Sequence, residues 1–482
     1  MSLPKVTPFV ARNFRLMGDG TKLAPNVGLV LALIAAGLVY NLVLLPNAPS
    51  GYPALTMNHE IYASITKALA DGWYRLLLPF EYEVGRFYWC PSVIFLVYWA
   101  ERLFGGAGSF AIFFSLFVTS VYFCSFNITK SRYFAGIVTF LFSFGTQLDY
   151  LFTFGNLIAL YLVLTYVVIN FYFLIRYLST ADDDWRALAF FAVSMVLVAL
   201  SNEMWLNYAT GLFCALVFGI FWSRRHRVHD LSRRCKFAAA TLLMVLIAYL
   251  TIRIRVASQY VQPGAEEELI ITYHHLSLFI DDVITNFFTL LYMSLSNYLP
   301  SFLSGSNSLV SLQPADIVAS QHGYHAQYEN LIVMNHLYMW RFHAGVLVAL
   351  FFVALIWMLR RSWQTKDIAP AVVVALALMV VGGFSTHLSI KMRPYNSTPN
   401  LPYKVIMSVS AWTALIGYMA WQIAELKTER ARRWIAIGVC VVALSAAITR
   451  PGMHAAFLAQ TGLAGFADPM PKLKRLLHLS GT

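Results

Sequence analysis

The sequence predicts an all-α polytopic membrane protein. Three observations carry this. Only 12% of the 482 residues are charged and 59% are hydrophobic, whereas a soluble domain carries roughly a quarter charged residues. Mean hydropathy is +0.63. Apolar runs such as "NVGLVLALIAAGLVYNLVLL" and "GVLVALFFVALIWML" recur from end to end, each near the roughly 20 residues that cross a bilayer core. A β-barrel would show alternating segments of roughly ten residues instead.

Residues 1–26 form a basic lead into a retained first span, with no cleavable signal. Apolar windows then predict about eleven spans. These lie near 27–45, 107–126, 132–148, 156–178, 186–201, 204–222, 236–254, 342–359, 368–386, 404–424 and 434–449. The basic links 223–236, 358–366 and 425–434 belong on the cytoplasmic side, because Lys and Arg set orientation. Parity decides one ambiguous segment, "YWCPSVIFLVYWAERLFG" (88–105). A crossing there would put 223–236 outside. The segment is also short and opens with a Pro, and Tyr88, Trp89, Tyr98 and Trp99 flank its apolar core. It is therefore expected to lie in the interface on the outer face.

The expected organisation is a module at 27–254 with a first outer loop at 46–106, a large outer loop at 255–341, C-terminal spans at 342–449 and a tail at 450–482. The net charge of +12 resides in the links and sets topology, so nucleic acid is not an expected partner. The five cysteines show no metal spacing and are expected to be small core residues.

Non-membrane mass then falls on the outer face. In "TMNHEIYASITKALADGW" (56–73), Asn58 is a suitable N-cap and Gly72 a suitable stop. Ile61, Ile65, Leu69 and Trp73 form one apolar face. His59 and Glu60 occupy the first turn, where the helix dipole favours a carboxylate. A carboxylate there can accept a proton from an alcohol or bind a metal, although from spacing alone a solvated helix start is the simpler reading of the pair. Asp149 and Glu203 sit at ends of apolar runs, where charges are costly and often functional. Solvated loop acids are the plain alternative. The acids of "TADDDW" (180–185) are expected in a solvated cytoplasmic loop. The outer link "HLSIKMRPYNSTPNLPYK" carries Lys391, Arg393 and Lys404 against the positive-inside trend. Arg and Lys there suit phosphate, or simply lipid headgroups. Arg253 and Arg255, at the end of another expected span, could share either role. The histidines at 274, 275, 322, 325 and 336 lack firm metal spacing and are expected to be structural or solvated.

In combination these segments resemble the GT-C glycosyltransferases, polytopic enzymes that use polyprenyl-phosphate sugars. The resemblance rests on "NHEIYASITKALADGW" for the acidic pair after the first span, and on "CPSVIFLVYWAERLFG" for the interfacial helix. Further along it rests on "TKSRYFAGIVTFLFSFGTQLDYLF", "LSNEMW" and "RPYNSTPNLPYK". His59 stands where many members have Asp, and Asn202 where many have Lys. The resemblance implies Glu60 as the base toward an acceptor hydroxyl, with His59 assisting. It implies Asp149 as the residue that orients the acceptor, and Arg393 with Lys391 as stabilisers of the departing phosphate. Glu203 and Tyr395 join the expected substrate contacts. A divalent cation, magnesium or manganese, is an expected cofactor, with Glu60 and Asp149 as candidate ligands. The expected partners are membrane lipid, a polyprenyl-phosphate-linked sugar, and a glycan or lipid acceptor. The reaction is expected to invert the anomeric centre, on the periplasmic side of a bacterial cytoplasmic membrane. A transporter or flippase for a lipid-linked saccharide is the alternative, and a non-catalytic partner of an assembly complex is a third.

Overall fold

The structure is a computed structural model. It describes residues 25–44, 79–83, 86–89, 94–129, 131–144, 157–179, 184–201, 205–225, 228–260 and 429–460, with isolated helical positions at 70, 349, 352, 353, 356, 357 and 360. Helix α1 is Val27–Val39, closed by a π-helical turn at Tyr40–Leu44. A hairpin of β1 (Pro79–Glu83) and β2 (Arg86–Trp89) follows. Then come α2 (Ile94–Thr129), α3 (Arg132–Phe144), α4 (Leu157–Ser179), α5 (Trp185–Ala199), α6 (Trp205–Arg225), α7 (His229–Tyr260) and α8 (Glu429–Gln460).

The described residues are thus nearly all helical, as composition predicts. Three stretches are long and apolar enough to cross a membrane: Ala107–Ile128, Tyr161–Ser179 and His229–Ile252. They coincide with three of the expected spans and make this a membrane protein. The expected spans at 342–359, 368–386 and 404–424 lie outside the described residues, apart from the isolated helical positions already given.

Four features depart from expectation. The first is the hairpin, in which Phe80 faces Tyr88 and Glu81 faces Phe87. Its strands are rich in aromatic residues, which favour a pleated surface. They are too short to register in apolar windows. Second, α7 begins at His229 and ends at Tyr260, not at 236 and 254. The basic run of the link is therefore largely helical, and Arg253 and Arg255 lie within the helix. Hydropathy locates the apolar slab, whereas a helix projects beyond it into the interface. Third, α8 runs through Pro451 to Gln460, where Pro would ordinarily end a helix. Fourth, one acid of "TADDDW" has a structural job. Asp184 caps α5, accepting from Ala187 N at 3.1 Å, and pairs with Arg176 Nε at 3.0 Å.

The expected separation of 88–105 from the next span is visible as a break. Gly105 has φ 68° and ψ 175° inside α2, a conformation essentially reserved for glycine. Before the break, Val97 and Tyr98 are buried, while Leu103 and Phe104 are 69% and 60% exposed. A Cβ at Gly105 would meet nothing within 4 Å. Gly105→Ala should therefore cost about 1–3 kcal/mol through backbone strain alone. Thermal unfolding in detergent would read it, and an unchanged midpoint would contradict it.

Helix directions follow from contacts between ends. Near its start α1 meets the start of α3, where Leu29 lies 3.4 Å from the Cβ position of Gly136. Near its finish Asn41 Nδ2 donates to Ser143 O at 3.5 Å, and the rings of Tyr40 and Phe144 are 5.7 Å apart. These helices run in the same sense. Helix α2 runs oppositely: Asn26 N donates to Tyr122 Oη at 3.0 Å, while Gly37 abuts Phe114. A Cβ on Gly37 would sit 2.5 Å from Phe114 Cζ, so only glycine permits this approach. Gly37→Ala should destabilise by about 1–3 kcal/mol by overpacking. Gly438→Ala, with open space around it, should not. Equal melting shifts for the two variants would refute this account.

Helix α4 starts against the top of the crossing part of α2, where Tyr161 packs on Phe110 at 5.4 Å and on Phe114 at 5.5 Å. Helices α4 and α5 form an antiparallel hairpin closed by Arg176 and Asp184. Residues 202–204 link α5, past Ser201, to α6, and residues 226–228 link α6 to α7. Helix α8 starts where α3 starts, Arg433 Nε donating to Tyr133 Oη at 3.1 Å. One aromatic-rich core joins helices α1 to α7.

Candidate functional site

The bundle has two distinct ends. At the Asn26 end lie the starts of α1, α3, α5, α7 and α8 and the finishes of α2, α4 and α6. At the Asn41 end lie the finishes of α1, α3, α5 and α7 and the starts of α4, α6 and the crossing part of α2. Chain leaves α1 and re-enters at Ala107 on the same end. The end of α1 and the start of the crossing part of α2 therefore lie at one end of the bundle, while most of the segment between them lies outside the described residues.

This sorting matters because of what the connecting segments carry. The segment after Leu44 leads to His59 and Glu60. The segment after Phe144 leads to Asp149, five residues on, a tether of at most about 18 Å. The segment between Ser201 and Trp205 contains Glu203. All three spring from the Asn41 end. His59, Glu60, Asp149, Glu203, Lys391, Arg393 and Tyr395 themselves lie outside the described residues, as does the expected helix at 58–72 except Ala70. More of the described basic residues lie at the opposite end, although Arg253 and Arg255 on the last turns of α7 and Arg450 late in α8 lie toward the Asn41 end. Arg132, Arg176, Arg186, Arg224, Arg225, Arg233, Lys236, Arg430 and Arg433 all occupy turns next to the Asn26 end.

The junction at the Asn41 end is specifically built. Asn41 is buried, and its Nδ2 donates to Gly37 O at 2.7 Å as well as to Ser143 O. The amide thereby ties the π turn of α1 to the last turn of α3. A π turn leaves carbonyls displaced from the regular ladder, and such turns recur at functional sites. Ser143 Oγ donates to Thr139 O at 2.8 Å, which settles its hydroxyl within α3. The outlets toward Glu60 and Asp149 are thus held side by side by polar bonds in an apolar surround. Such bonds are costly to break where water is absent.

A second polar knot lies inside the bundle. Tyr208 Oη donates to Asn170 Oδ1 at 2.8 Å. Asn170 Nδ2 donates to Phe191 O at 2.8 Å and to Ser194 Oγ at 2.9 Å. Ser194 Oγ in turn donates to Phe190 O at 2.7 Å. One asparagine therefore joins α4, α5 and α6. Sequence reading passed over both asparagines because each stands alone in an apolar run, "VYNLV" and "VINFY". The available signal was that a polar residue inside a span faces the bundle interior by default.

Arg234 is almost fully buried near the start of α7, a cost tolerated only where the guanidinium is paired. The cysteines behave as expected of core residues. Cys235 is buried, Cys124, Cys214 and Cys440 are partly buried, and all four are free thiols. Cys90 lies outside the described residues. Among the described residues no group of three or more His, Cys, Asp or Glu is placed to hold a metal ion. The candidate ligands Glu60 and Asp149 are not among them.

No protein-family model matches the chain, and comparisons with curated proteins and with solved structures give no significant match.

Proposed function

We propose that this protein is a membrane glycosyltransferase of the GT-C type, moving a sugar from a polyprenyl-phosphate donor to a lipid-linked or cell-surface glycan. The observation that carries the reading is the common origin of the three acid-bearing segments. The Asn41–Ser143 and Tyr40–Phe144 contacts hold the outlets of α1 and α3 together, and the α5–α6 link opens at the same end. A reaction centre assembled from Glu60, Asp149 and Glu203 needs their three segments to leave the bundle at one end, and the described helix ends meet that requirement.

Orientation follows from charge. Basic links favour the cytoplasm, so the Asn26 end faces inward and the Asn41 end faces the periplasm of a bacterial inner membrane. The N-terminus is then cytoplasmic. In the reaction the acceptor oxygen attacks the anomeric carbon, the bond from that carbon to the phosphate oxygen breaks, and the configuration inverts. Glu60 takes the acceptor proton, positioned with His59. Asp149 orients the acceptor. Arg393 and Lys391 meet the negative charge that grows on the leaving phosphate, where preorganised donors act most strongly. Glu203 and Tyr395 complete the substrate contacts. A divalent cation held by Glu60 and Asp149 would add positive charge at the same phosphate.

The test is a transfer assay. Membranes containing the protein are supplied with a radiolabelled polyprenyl-phosphate sugar. Label passing into a glycan or glycolipid, with release of polyprenyl phosphate, is the expected result. Label that crosses sealed vesicles unchanged would favour a flippase and overturn the reading.

A further inference from the structure

We propose that the exposed side of the α5–α7 pair, at the starts of the two helices, is a binding site for a membrane glycerophospholipid with an anionic headgroup. The inference is independent of the proposed catalysis and lies at the other end of the bundle. Trp185 and Phe237 meet edge to face, with centroids 5.5 Å apart. Neither is a core residue, for they are 54% and 43% exposed. An indole and a phenyl ring at the ends of spanning helices sit naturally at headgroup level.

The flanking cations are placed by helix geometry. Helices α5 and α7 run in the same sense, because each is joined antiparallel to α6. Each residue turns a helix by about 100°. One step forward from Trp185 on α5 gives Arg186, and one step back from Phe237 on α7 gives Lys236. In parallel helices facing each other these two steps rotate to the same side of the pair. That side is the exposed one: Arg186 and Lys236 are exposed, while Ala187, Leu188 and Ala238 on the other side are buried.

Below the two cations the exposed side turns apolar. Ala189 and Val193 on α5 and Ala240 and Ile247 on α7 are all exposed. The small alanines come first, a turn below the aromatic pair. Two cations on one side of the helix pair, above an exposed apolar strip, suit one phosphodiester with its acyl chains. Among the described residues the acid nearest Trp185, Asp184, is already engaged by Arg176 at 3.0 Å, and Asp230 lies two turns before Phe237 in the first turn of α7. Basic pockets between spans bind anionic headgroups in this manner.

The test uses the full chain in nanodiscs of phosphatidylcholine containing phosphatidylglycerol, with native mass spectrometry to count retained lipids. Preferential retention of phosphatidylglycerol is expected. The double variant Arg186→Gln/Lys236→Gln should lower it about tenfold, and Arg224→Gln/Arg225→Gln should not. Equal loss in the two double variants would assign retention to the general basic face and overturn the site. A measurement on the unaltered chain stands apart from any folding defect. Raised salt should strip phosphatidylglycerol selectively, and equal retention of both lipids at all salt concentrations would also overturn it.

Discussion

Glu60→Gln is expected to lower sugar transfer by about 10²- to 10⁴-fold, the usual contribution of a positioned general base. The amide keeps the shape of the carboxylate and its place in the chain but cannot take the acceptor proton. The loss should therefore fall on kcat, with donor affinity little altered, because the phosphate contacts of Arg393 and Lys391 remain. Arg393→Ala should show the complementary pattern, losing about 10²- to 10³-fold with the charge of the leaving phosphate unopposed. Both variants should melt with the parent protein, since neither residue belongs to the described core. Full transfer activity in Glu60→Gln would remove that residue from the chemistry, whatever its neighbours do.

A large effect on stability is expected at Asn170, where one substitution breaks more than one buried bond. In Asn170→Leu the Tyr208 hydroxyl loses its acceptor, Oδ1 at 2.8 Å, and Ser194 Oγ loses a donor at 2.9 Å. A buried polar group left unsatisfied costs about 1–3 kcal/mol, and lipid offers no water to replace the bond. Tyr208→Phe alone removes only one bond and should cost about 0.5–1.5 kcal/mol. The double variant should be less destabilised than the sum, because removing the hydroxyl abolishes the stranded group. Strict additivity in this cycle would mean that the two residues are not coupled, against the observed geometry.

Much of the helical plan was legible because membranes impose one rule. Within lipid the backbone must bond internally, so an apolar run of sufficient length becomes a helix. Thus 107–126 became Ala107–Ile128 and 156–178 became Leu157–Ser179 with little displacement. Features that do not depend on apolar runs were not legible. The basic residues at the start of α7 are helical, but their charge marks them as a link in any hydropathy window. The hairpin at Pro79–Trp89 has strands of only five and four residues, too short for an apolar window to detect. Pro451 carries a local penalty that the helix overrides. For the site, the sequence supplied residue types and the order of segments. It could not supply the side-by-side exit of α1 and α3, because that depends on Asn41 and Ser143, residues 102 positions apart. Parity predicts a shared side for the acid-bearing segments, and the contacts between helix ends bring together the described ends of α1 and α3 from which two of those segments leave.

Sidedness of the acid-bearing segments is the central claim, and accessibility measures it directly. In a cysteine-free background, single cysteines at Ser50, Thr146 and Asn202 can be challenged with a membrane-impermeant maleimide in sealed right-side-out vesicles. Cysteines at Thr180 and His226 serve as the opposite set. The first three should label from outside, and the last two only after the membrane is opened. Labelling that places Ser50 and Thr146 on opposite faces would contradict the shared end and, with it, the proposed reaction centre.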